Sequence, residues 1–304
     1  MRLITRYEEI VDKNSIGKSL NPVSLSALLT KAEKEVIPAA QTDNENVLLL
    51  IIDMQKDFME TGALPVQGSL QDVYYLTRFI YDNASRISKI AISLDTHNPF
   101  QIFHPCWWQD KDGNNPLPFT TITADDCENG KWIPVLEPEL SRDYVYHLGK
   151  LGKKTLVIWP YHCLQGTEGA SLENQLANMI YFHSVARKTT VDSLVKGSDP
   201  LTEMYGILKP EYDPKGYVNV DFLMKMEQYH KIIIAGEAKS HCVMESVKQI
   251  LYHYSTRKDI TSRIYILEDC MSSIGGFEES TENAFLQFKE KHVINIIKST
   301  ELKL

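Results

Sequence analysis

The sequence has no block of basic residues, and negative charge outweighs positive charge along the chain. Its 32 lysines and arginines are outnumbered by 40 aspartates and glutamates, which gives a formal net charge of −8 at pH 7. Proteins that bind nucleic acid or anionic membranes use clustered lysines and arginines for that purpose. The composition therefore predicts neither a nucleic-acid partner nor a membrane-binding surface.

Long apolar runs and paired cysteines are also missing. No uninterrupted apolar stretch reaches the roughly 20 residues that a membrane-spanning helix needs. The first residues, MRLITRYEEIVDK, contain acidic side chains before any apolar run, unlike a secretory signal. The five cysteines are odd in number and form no C-x-x-C pair, as in proteins of a reducing compartment. We expect a soluble cytoplasmic protein with free thiols.

The sequence does contain an alternation of short apolar runs and helical patterns. With 43% hydrophobic residues among 304, the chain can bury a large core. Apolar or β-branched runs occupy positions 47–54, 90–94, 155–159, 232–235, 264–267 and 293–297. Helical spacing of apolar residues occupies positions 73–88, 171–186, 242–254 and 281–291. This order predicts an α/β fold with a mostly parallel sheet and helices on both faces.

Two stretches fall outside this alternation and predict the domain organisation. We interpret residues 1–46 as an N-terminal extension with one amphipathic helix over 23–36. Residues 47–304 form the predicted main domain, interrupted at about 98–154 by an insertion rich in proline, glycine, aspartate and tryptophan. A long insertion without a simple crossover pattern is expected to fold over the ligand cleft.

Chemically capable side chains follow several of the predicted strands. Ligands of parallel sheets bind beyond the carboxyl ends of the strands, so these positions are candidates for a site. Asp53 follows the first run and is either a turn or capping residue or a general base. Lys196 follows a Thr- and Val-rich stretch, and is either a solvated surface charge or a partner that favours an ionised acid and thiol.

A second group of residue types suggests metal binding. Asp95 and His97 lie two residues apart after the second run, so their side chains project from the same side of an extended segment. A histidine later in the chain could complete a site for a divalent cation. His104 is either a further ligand or a loop residue. Phe58 and Trp159 are either core aromatics or residues that stack on a flat substrate.

Cys242 lies where the predicted strand at 232–235 is followed by the predicted helix at 242–254. The first turn of a helix has unpaired N–H groups and a partial positive charge, which stabilise a thiolate and an adjacent oxyanion. Free cysteines are also among the most frequently buried residues. Cys242 is therefore either a nucleophile or a small core residue.

Four motifs, taken in order, resemble those of the isochorismatase-like cysteine hydrolases, and within them the nicotinamidases. They are IIDMQKDF, WPYHCLQGTEGA, VKGSDP and GEAKSHCV, which contain Asp53, His162, Lys196 and Cys242 respectively. The resemblance extends from Val47 to about Ser299. It implies a doubly wound, mostly parallel six-stranded sheet. Isochorismatases proper lack this cysteine, so its presence favours the amide-cleaving side of the family.

The resemblance implies a role for each matched residue. Asp53 is expected to be the catalytic acid and base, Lys196 to balance the charge, and Cys242 to be the nucleophile. The backbone N–H groups of Ala238 and Cys242 are expected to form an oxyanion hole, with a cis peptide between Glu237 and Ala238. The implied metal ligands are Asp95, His97 and His162, with His104 as a further candidate. The implied substrate-binding aromatics are Phe58, Trp159 and Tyr205.

The implied reaction is the hydrolysis of nicotinamide to nicotinate and ammonia through a thioester. The resemblance also implies a divalent metal ion, for which zinc is expected first and iron or manganese are alternatives. Two alternatives stay open. One is hydrolysis of another small amide, such as an N-carbamoyl compound or a ureide, and the other is binding without catalysis. Residues that depart from the family pattern are Thr96, Glu237, Lys239 and His241. The resemblance also implies a small-molecule amide substrate and a homo-oligomer.

Overall fold

A six-stranded parallel sheet organises the chain. The computed structural model describes residues 2–152 and 154–304. The strands are β1 (Val47–Ile52), β2 (Lys89–Asp95), β3 (Trp108–Gln109), β4 (Thr121–Ile122), β5 (Ile133–Pro134), β6 (Leu156–Val157), β7 (Val191–Lys196), β8 (Lys231–Gly236), β9 (Ile264–Leu267) and β10 (Asn295–Ile297). The helices are α1 (Leu25–Ala32), α2 (Ser69–Asp82), α3 (Ala124–Glu128), α4 (Pro138–His147), α5 (Asn174–Ala186), α6 (Val220–Met226), α7 (Met244–His253), α8 (Lys258–Thr261) and α9 (Glu278–Lys291).

The strands of the main sheet follow the order β10, β9, β8, β1, β2 and β7. Every neighbouring pair in this order is parallel. Strand β1 lies near the centre, and it pairs with β2 on one side and β8 on the other. The predicted α/β fold with a parallel six-stranded sheet is therefore confirmed.

Both faces of β1 are buried, which explains its uninterrupted apolar sequence. On one face, Leu49 and Ile51 belong to a cluster that includes side chains of α2 and α5. On the other face, Leu48 and Leu50 pack in a cluster with side chains of α6 and α7. A strand covered on both faces needs apolar residues at every position. Each such leucine or isoleucine stabilises the fold by about 1.5–3 kcal/mol on burial.

One predicted strand lies outside the main sheet. Residues 155–159 contribute only β6, which pairs antiparallel with β4. The sixth position of the main sheet belongs to β7, an edge strand that pairs with β2. Ser193 and Val195 of β7 are exposed. An edge strand is less covered than a central one, so its sequence lacks the apolar run that identified the other strands.

The predicted helices exist, but several of their ends differ from the prediction. Helix α2 begins at Ser69 rather than at residue 73 and ends at Asp82 rather than at residue 88. Asn83 caps the end of this helix, where its side chain and its backbone N–H both donate to the Phe79 carbonyl, at 3.0 and 3.1 Å. Helix α1 is shorter than the predicted 23–36, and α9 begins at Glu278, before the predicted residue 281.

The N-terminal residues pack along α2 and α5. The hydroxyl of Tyr7 lies 2.8 Å from that of Thr77 on α2, and the buried guanidinium of Arg187 pairs with Asp43. The segment predicted as an insertion contains α3, α4 and the strands β3, β4 and β5. The division into extension, main domain and insertion stays a prediction. Within residues 2–152 and 154–304, no helix is both long and apolar enough to cross a membrane.

Candidate active site

Three side chains from distant parts of the chain meet at the carboxyl ends of the strands. Asp53 follows β1, Lys196 ends β7, and Cys242 precedes α7. The Nζ atom of Lys196 lies 2.9 Å from Asp53 Oδ2 and 3.7 Å from Cys242 Sγ. All three residues are buried. The structure thus brings together the acid, the amine and the thiol that the motifs identified, while their catalytic roles stay predictions.

The register of the sheet explains why Lys196 lies among acidic groups. In the β2–β7 pair, Lys196 is the register partner of Asp95, and its Nζ donates to Asp95 Oδ1 at 2.8 Å. Strand β1 is the other neighbour of β2, so Asp53 projects from the adjacent strand end. One ammonium group therefore contacts two carboxylates.

Asp53 is held by the neighbouring strand. Its φ of 45° is in the left-handed region, which is uncommon for residues other than glycine. Its backbone N–H donates to Ser93 Oγ at 3.1 Å, and the Ser93 hydroxyl donates to Asp53 Oδ1 at 2.6 Å. These bonds leave Oδ2 facing the lysine. Sequence reasoning missed Ser93 because one serine within an apolar strand carries no motif.

Cys242 lies in a π-helical turn, Lys239–Val243, that leads into α7. Strand β8 approaches β1 closely at Gly236, where a Cβ atom would lie 2.1 Å from the carbonyl oxygen of Ile52. The φ of Gly236 is 130°, which also favours glycine. The close approach of these two strands brings the turn that carries the thiol next to the strand end that carries the acid.

The turn before Cys242 contains the predicted oxyanion hole. The peptide between Glu237 and Ala238 is cis, and both Ala238 and Cys242 line the same cavity. The assignment of their N–H groups to an oxyanion stays a prediction.

Burial controls the protonation of the acid and the thiol. Burial raises the pKa of Cys242 well above its usual value, although the charge of Lys196 partly offsets this effect. Burial also raises the pKa of Asp53, again against the influence of Lys196. For Lys196, burial lowers the pKa, but the neighbouring carboxylates outweigh it and hold the pKa well above its usual value. The charge of Lys196 therefore opposes the effect of burial on both the acid and the thiol, and favours their ionised forms.

Asp95, His97 and His162 form a group that can hold a metal ion. Their ligand atoms lie within 4.8 Å of one another, and all three side chains are buried. Nδ1 of His97 donates to the Gly197 carbonyl at 2.9 Å, and Nδ1 of His162 donates to the Pro160 carbonyl at 2.8 Å. These bonds turn Nε2 of each ring toward the group, as is usual for histidines that bind metals, and Nε2 of His97 lies 3.2 Å from Asp95 Oδ2.

The protonation of this group also suits a cation. Burial lowers the pKa of His162 to about 3, so its ring is neutral near pH 7. Burial raises the pKa of Asp95, but the adjacent His97 and Lys196 outweigh it, and the net shift is downward. Neutral imidazole and ionised carboxylate are the forms that bind divalent metals, so the residues present fit such an ion.

His104 lies beside this group. Its ring centre is 6.1 Å from that of His97 and 6.0 Å from that of His162. Its Nδ1 donates to the Pro99 carbonyl at 3.0 Å, whereas its buried Nε2 has no hydrogen-bond partner among the described residues. The free Nε2 is compatible with a further ligand, which stays a prediction.

A small cavity connects the thiol with the metal-binding group. The three predicted aromatic residues, Phe58, Trp159 and Tyr205, all line it. The rings of Trp159 and Tyr205 are perpendicular, with centres 6.3 Å apart. Mostly apolar walls with a few polar groups are typical of a site for a small molecule.

Known proteins resemble this chain in both sequence and fold. No family model matches it. It is 25% identical to the nicotinamidase of Escherichia coli K12 over 206 residues, which are 67% of this chain and 75% of that protein. The structure of the Acinetobacter baumanii nicotinamidase/pyrazinamidase has a TM-score of 0.59 at 18% identity, covering 86% of this chain and 100% of that one. The structure of the yeast nicotinamidase bound to the inhibitor nicotinaldehyde has a TM-score of 0.57 at 18% identity, covering 83% of this chain and 99% of that one.

The chain is thus similar in sequence to a nicotinamidase and shares the fold of solved nicotinamidases. The cavity also has lining residues that the motifs did not identify as such. They are Leu64, Phe103, Glu203, Met204, His241 and Ile274. Sequence reasoning could have identified Glu203 and Met204 as lining residues, because they directly precede Tyr205 in the chain. Leu64 and Ile274 carry no local signal, since only the folding of two loops brings them to the cavity.

Proposed function

We propose that this chain is a cysteine-dependent amide hydrolase that converts nicotinamide to nicotinate and ammonia through a thioester. The observation that carries the proposal is the buried contact of Lys196 with Asp53 and Cys242, at 2.9 and 3.7 Å, at the wall of a small cavity. A nucleophile, a base and a balancing charge within reach of one another are what covalent amide hydrolysis requires. The E. coli relative is itself named a nicotinamidase.

The first half of the proposed reaction forms the thioester. Asp53 accepts the proton of Cys242, and the sulfur attacks the amide carbonyl carbon. As the C–S bond forms, the carbonyl electrons move to the oxygen, which accepts hydrogen bonds from the N–H groups of Ala238 and Cys242. The C–N bond then breaks, and the nitrogen takes the proton from Asp53 and leaves as ammonia.

The second half releases the acid. Asp53 accepts a proton from water while the water oxygen attacks the thioester carbon. The C–S bond breaks, the sulfur regains the proton held by Asp53, and the acid product ionises to nicotinate. Lys196 stays protonated throughout and offsets the negative charge of the carboxylate and the thiolate. Burial raises the pKa of both Asp53 and Cys242, and Lys196 lowers both, so the ammonium group supports the passage of a proton between the thiol and the carboxylate.

Asp95, His97 and His162 are the proposed ligands of a divalent ion, with His104 as a further candidate. When bound, the ion supplies a Lewis acid that can orient the ring nitrogen of the substrate or a water molecule in its place. Two imidazoles and one carboxylate suit zinc, and also tolerate iron or manganese. We propose zinc, and metal analysis of the purified protein tests it.

The cavity supports a substrate with one aromatic ring. Phe58, Trp159 and Tyr205 present ring faces and edges that can hold a flat heterocycle. The yeast neighbour binds nicotinaldehyde, which has such a ring.

The decisive experiment measures ammonia release from nicotinamide by the purified protein. We expect release by the wild type and none above background by Cys242→Ala. Cys127→Ala is the matched control, because Cys127 is also buried but does not line the cavity, and it should keep full activity. Release from an N-carbamoyl compound but not from nicotinamide would replace the proposed substrate. Ligand binding without any hydrolysis would favour a non-catalytic binding protein.

We further propose that the protein is a cytoplasmic homo-oligomer, with residues 1–46 as an extension of the catalytic domain. All five cysteines are free thiols, which suits a reducing compartment. Large apolar side chains are exposed at Leu20, Leu117 and Tyr252, and such residues can contribute to subunit contacts. Cell fractionation tests the location, and light scattering coupled to gel filtration tests the oligomeric state.

A further inference from the structure

Glu203 is a buried carboxyl group that lines the cavity, yet it has no part in the proposed acyl transfer. The indole N–H of Trp159 donates to Glu203 Oε1 at 2.7 Å and to the Tyr205 hydroxyl at 3.1 Å. Burial and then the charge of Glu203 raise the pKa of the Tyr205 hydroxyl well above its usual value, because the two groups lie close together. The acid thus connects the polar ends of two aromatic residues in the cavity wall.

The backbone of Glu203 is itself fixed by neighbouring segments. Its N–H donates to the hydroxyl of Tyr144 on α4 at 2.9 Å, and its carbonyl accepts from the N–H of Glu211 at 2.9 Å. Helix α4 belongs to the segment predicted as an insertion. This segment therefore supports the cavity wall from behind.

We propose that Glu203 is a positioning residue that holds Trp159 and Tyr205 in the orientation that binds the substrate ring. The buried indole N–H of Trp159 needs an acceptor, and it is shared between this carboxyl group and the Tyr205 hydroxyl, so the three side chains fix one another. Without it the two rings lose the contacts that fix their rotation. The identity of the ring rests on the function proposed above, whereas the anchoring of the two side chains does not.

The surroundings of Glu203 shift its pKa, so its contact with Trp159 can be followed by changing the pH. The titratable or charged groups that face it are Tyr144, Tyr205, Glu211 and Lys154. Burial raises the pKa of Glu203 to about 7, against the hydrogen bonds from Tyr205 and Trp159 that lower it. His241, which contacts the Trp159 ring, has a pKa lowered to about 4 by burial, so it titrates separately.

The first test uses nuclear magnetic resonance of protein labelled with ¹⁵N-tryptophan. The chain has 4 tryptophans, and the variant Trp159→Phe assigns the indole signal of Trp159. We expect this signal to move with pH around the pKa of Glu203, and to lose that movement in Glu203→Gln. In Glu203→Leu the signal should shift upfield at every pH. Glu173→Gln is the matched control, because Glu173 is a buried acid that caps α5 away from the cavity, and it should change nothing.

The second test separates binding from chemistry. In Glu203→Leu we expect KM for nicotinamide to rise about tenfold, with kcat within about threefold of wild type, because substrate and transition state lose the same ring contacts. Glu203→Gln keeps an acceptor of the same shape and should restore most of the binding.

The outcomes distinguish this inference from the proposed function. A Trp159 indole signal that is unchanged in both Glu203 variants overturns the inference. An unchanged KM in Glu203→Leu overturns it as well. If the wild type does not hydrolyse nicotinamide, the proposed function fails, while the indole signals still decide the role of Glu203. If Glu203→Leu does not fold, the pH dependence in Glu203→Gln decides alone.

Discussion

At the scale of single residues, Lys196 is the cation on which the candidate site depends. Its Nζ contacts the carboxylates of Asp53 and Asp95 and also donates to the Met204 carbonyl at 3.1 Å. Burying charges is costly unless they are paired and hydrogen-bonded. Removing this one ammonium therefore leaves two buried carboxylates without a counter-charge.

We predict that Lys196→Met lowers the free energy of unfolding by about 3–5 kcal/mol, as expected for a broken buried ion pair, and abolishes ammonia release. Urea unfolding measures the first effect. Lys248→Met is the control, because Lys248 pairs with Glu245 at the surface and its removal should cost at most about 1 kcal/mol. Equal stabilities of the two variants would contradict the buried contacts described for Lys196.

A second residue-scale feature is the buried carboxyl pair of Asp72 and Glu237, next to the turn that leads to Cys242. The two side chains face each other, and Glu237 accepts from the Ser272 N–H at 3.1 Å. Burial raises the pKa of Glu237 well above its usual value, and the facing Asp72 raises it further. Burial also raises the pKa of Asp72, so both carboxyl groups bind a proton more readily than they would in water.

This pair predicts a stability change on the alkaline side. Because the pKa of Glu237 is higher in the folded protein, its stabilising contribution is complete below the unfolded pKa and is lost as pH rises through the folded pKa. Glu237→Gln resembles the protonated acid, so its free energy of unfolding should fall less than that of wild type between about pH 5 and pH 9. Chemical unfolding over this range measures the difference.

Glu245→Gln serves as the control with the opposite sign. Burial raises the pKa of Glu245, but Lys154 and Lys248 outweigh it, and the net shift is downward. Its stabilising contribution is therefore present above the unfolded pKa and is lost as pH falls through the folded pKa. If Glu237→Gln and Glu245→Gln showed the same pH trend, the raised pKa of Glu237 would be refuted.

At the scale of secondary structure, the candidate residues lie at the strand ends, and the turns that follow the strands determine where their side chains lie. Strands β1, β2 and β7 end at or next to Asp53, Asp95 and Lys196. Strand β8 reaches the thiol only through the close approach at Gly236, where β1 leaves no space for a side chain. The geometry of this turn therefore depends on a missing Cβ atom.

We predict that Gly236→Ala lowers the free energy of unfolding by about 1–3 kcal/mol, because the added methyl group collides with the backbone of β1. It should also reduce ammonia release, since the turn carrying Cys242 must shift. Gly275→Ala is the control, because a Cβ atom there meets nothing within 4 Å. Thermal unfolding of both variants checks the prediction, and a Gly236→Ala protein as stable and active as Gly275→Ala would contradict it.

At the scale of the whole molecule, segments outside the sheet are joined to it by buried polar contacts. The N-terminal residues contact α5 through the Asp12 N–H, which donates to Gln175 Oε1 at 2.9 Å. Lys154 follows the described π-helical turn after α4 and pairs with Glu245 on α7 at 2.7 Å. The candidate metal ligands also come from separate segments, because His162 is distant in sequence from Asp95 and His97.

An ion held by these ligands joins two segments, so it should stabilise the whole protein. At a free concentration 100 times Kd, binding to the folded state alone contributes about 2.7 kcal/mol, so a chelator should lower Tm and added zinc should restore it. His97→Gln and His162→Gln should lose this response. His147→Gln changes a residue of α4 outside the group, so this variant should keep the response of Tm to chelator and zinc. A wild-type Tm that changes with neither chelator nor zinc would contradict the metal site.

The sequence alone determined the main features of the fold and the composition of the candidate site. Continuous apolar runs such as 47–54 occur because a central parallel strand is covered on both faces, so its burial is visible in the local sequence. Asp53, Lys196 and Cys242 could be selected because each belongs to a motif, and Asp53 and Cys242 also lie at the ends of predicted elements. The rule that parallel strands end at the same edge predicted that such residues lie near one another.

Other features were decided only by the tertiary structure. The edge strand β7 replaced the predicted strand at 155–159, because an edge position needs little apolar sequence and is set by pairing with β2. Glu203 and Glu237 are ordinary acids in the sequence, and their raised pKa values arise from distant residues that cover them. Periodicity along the chain shows whether a position is buried, but it does not show which remote side chain lies against it. That information exists only once the chain has folded.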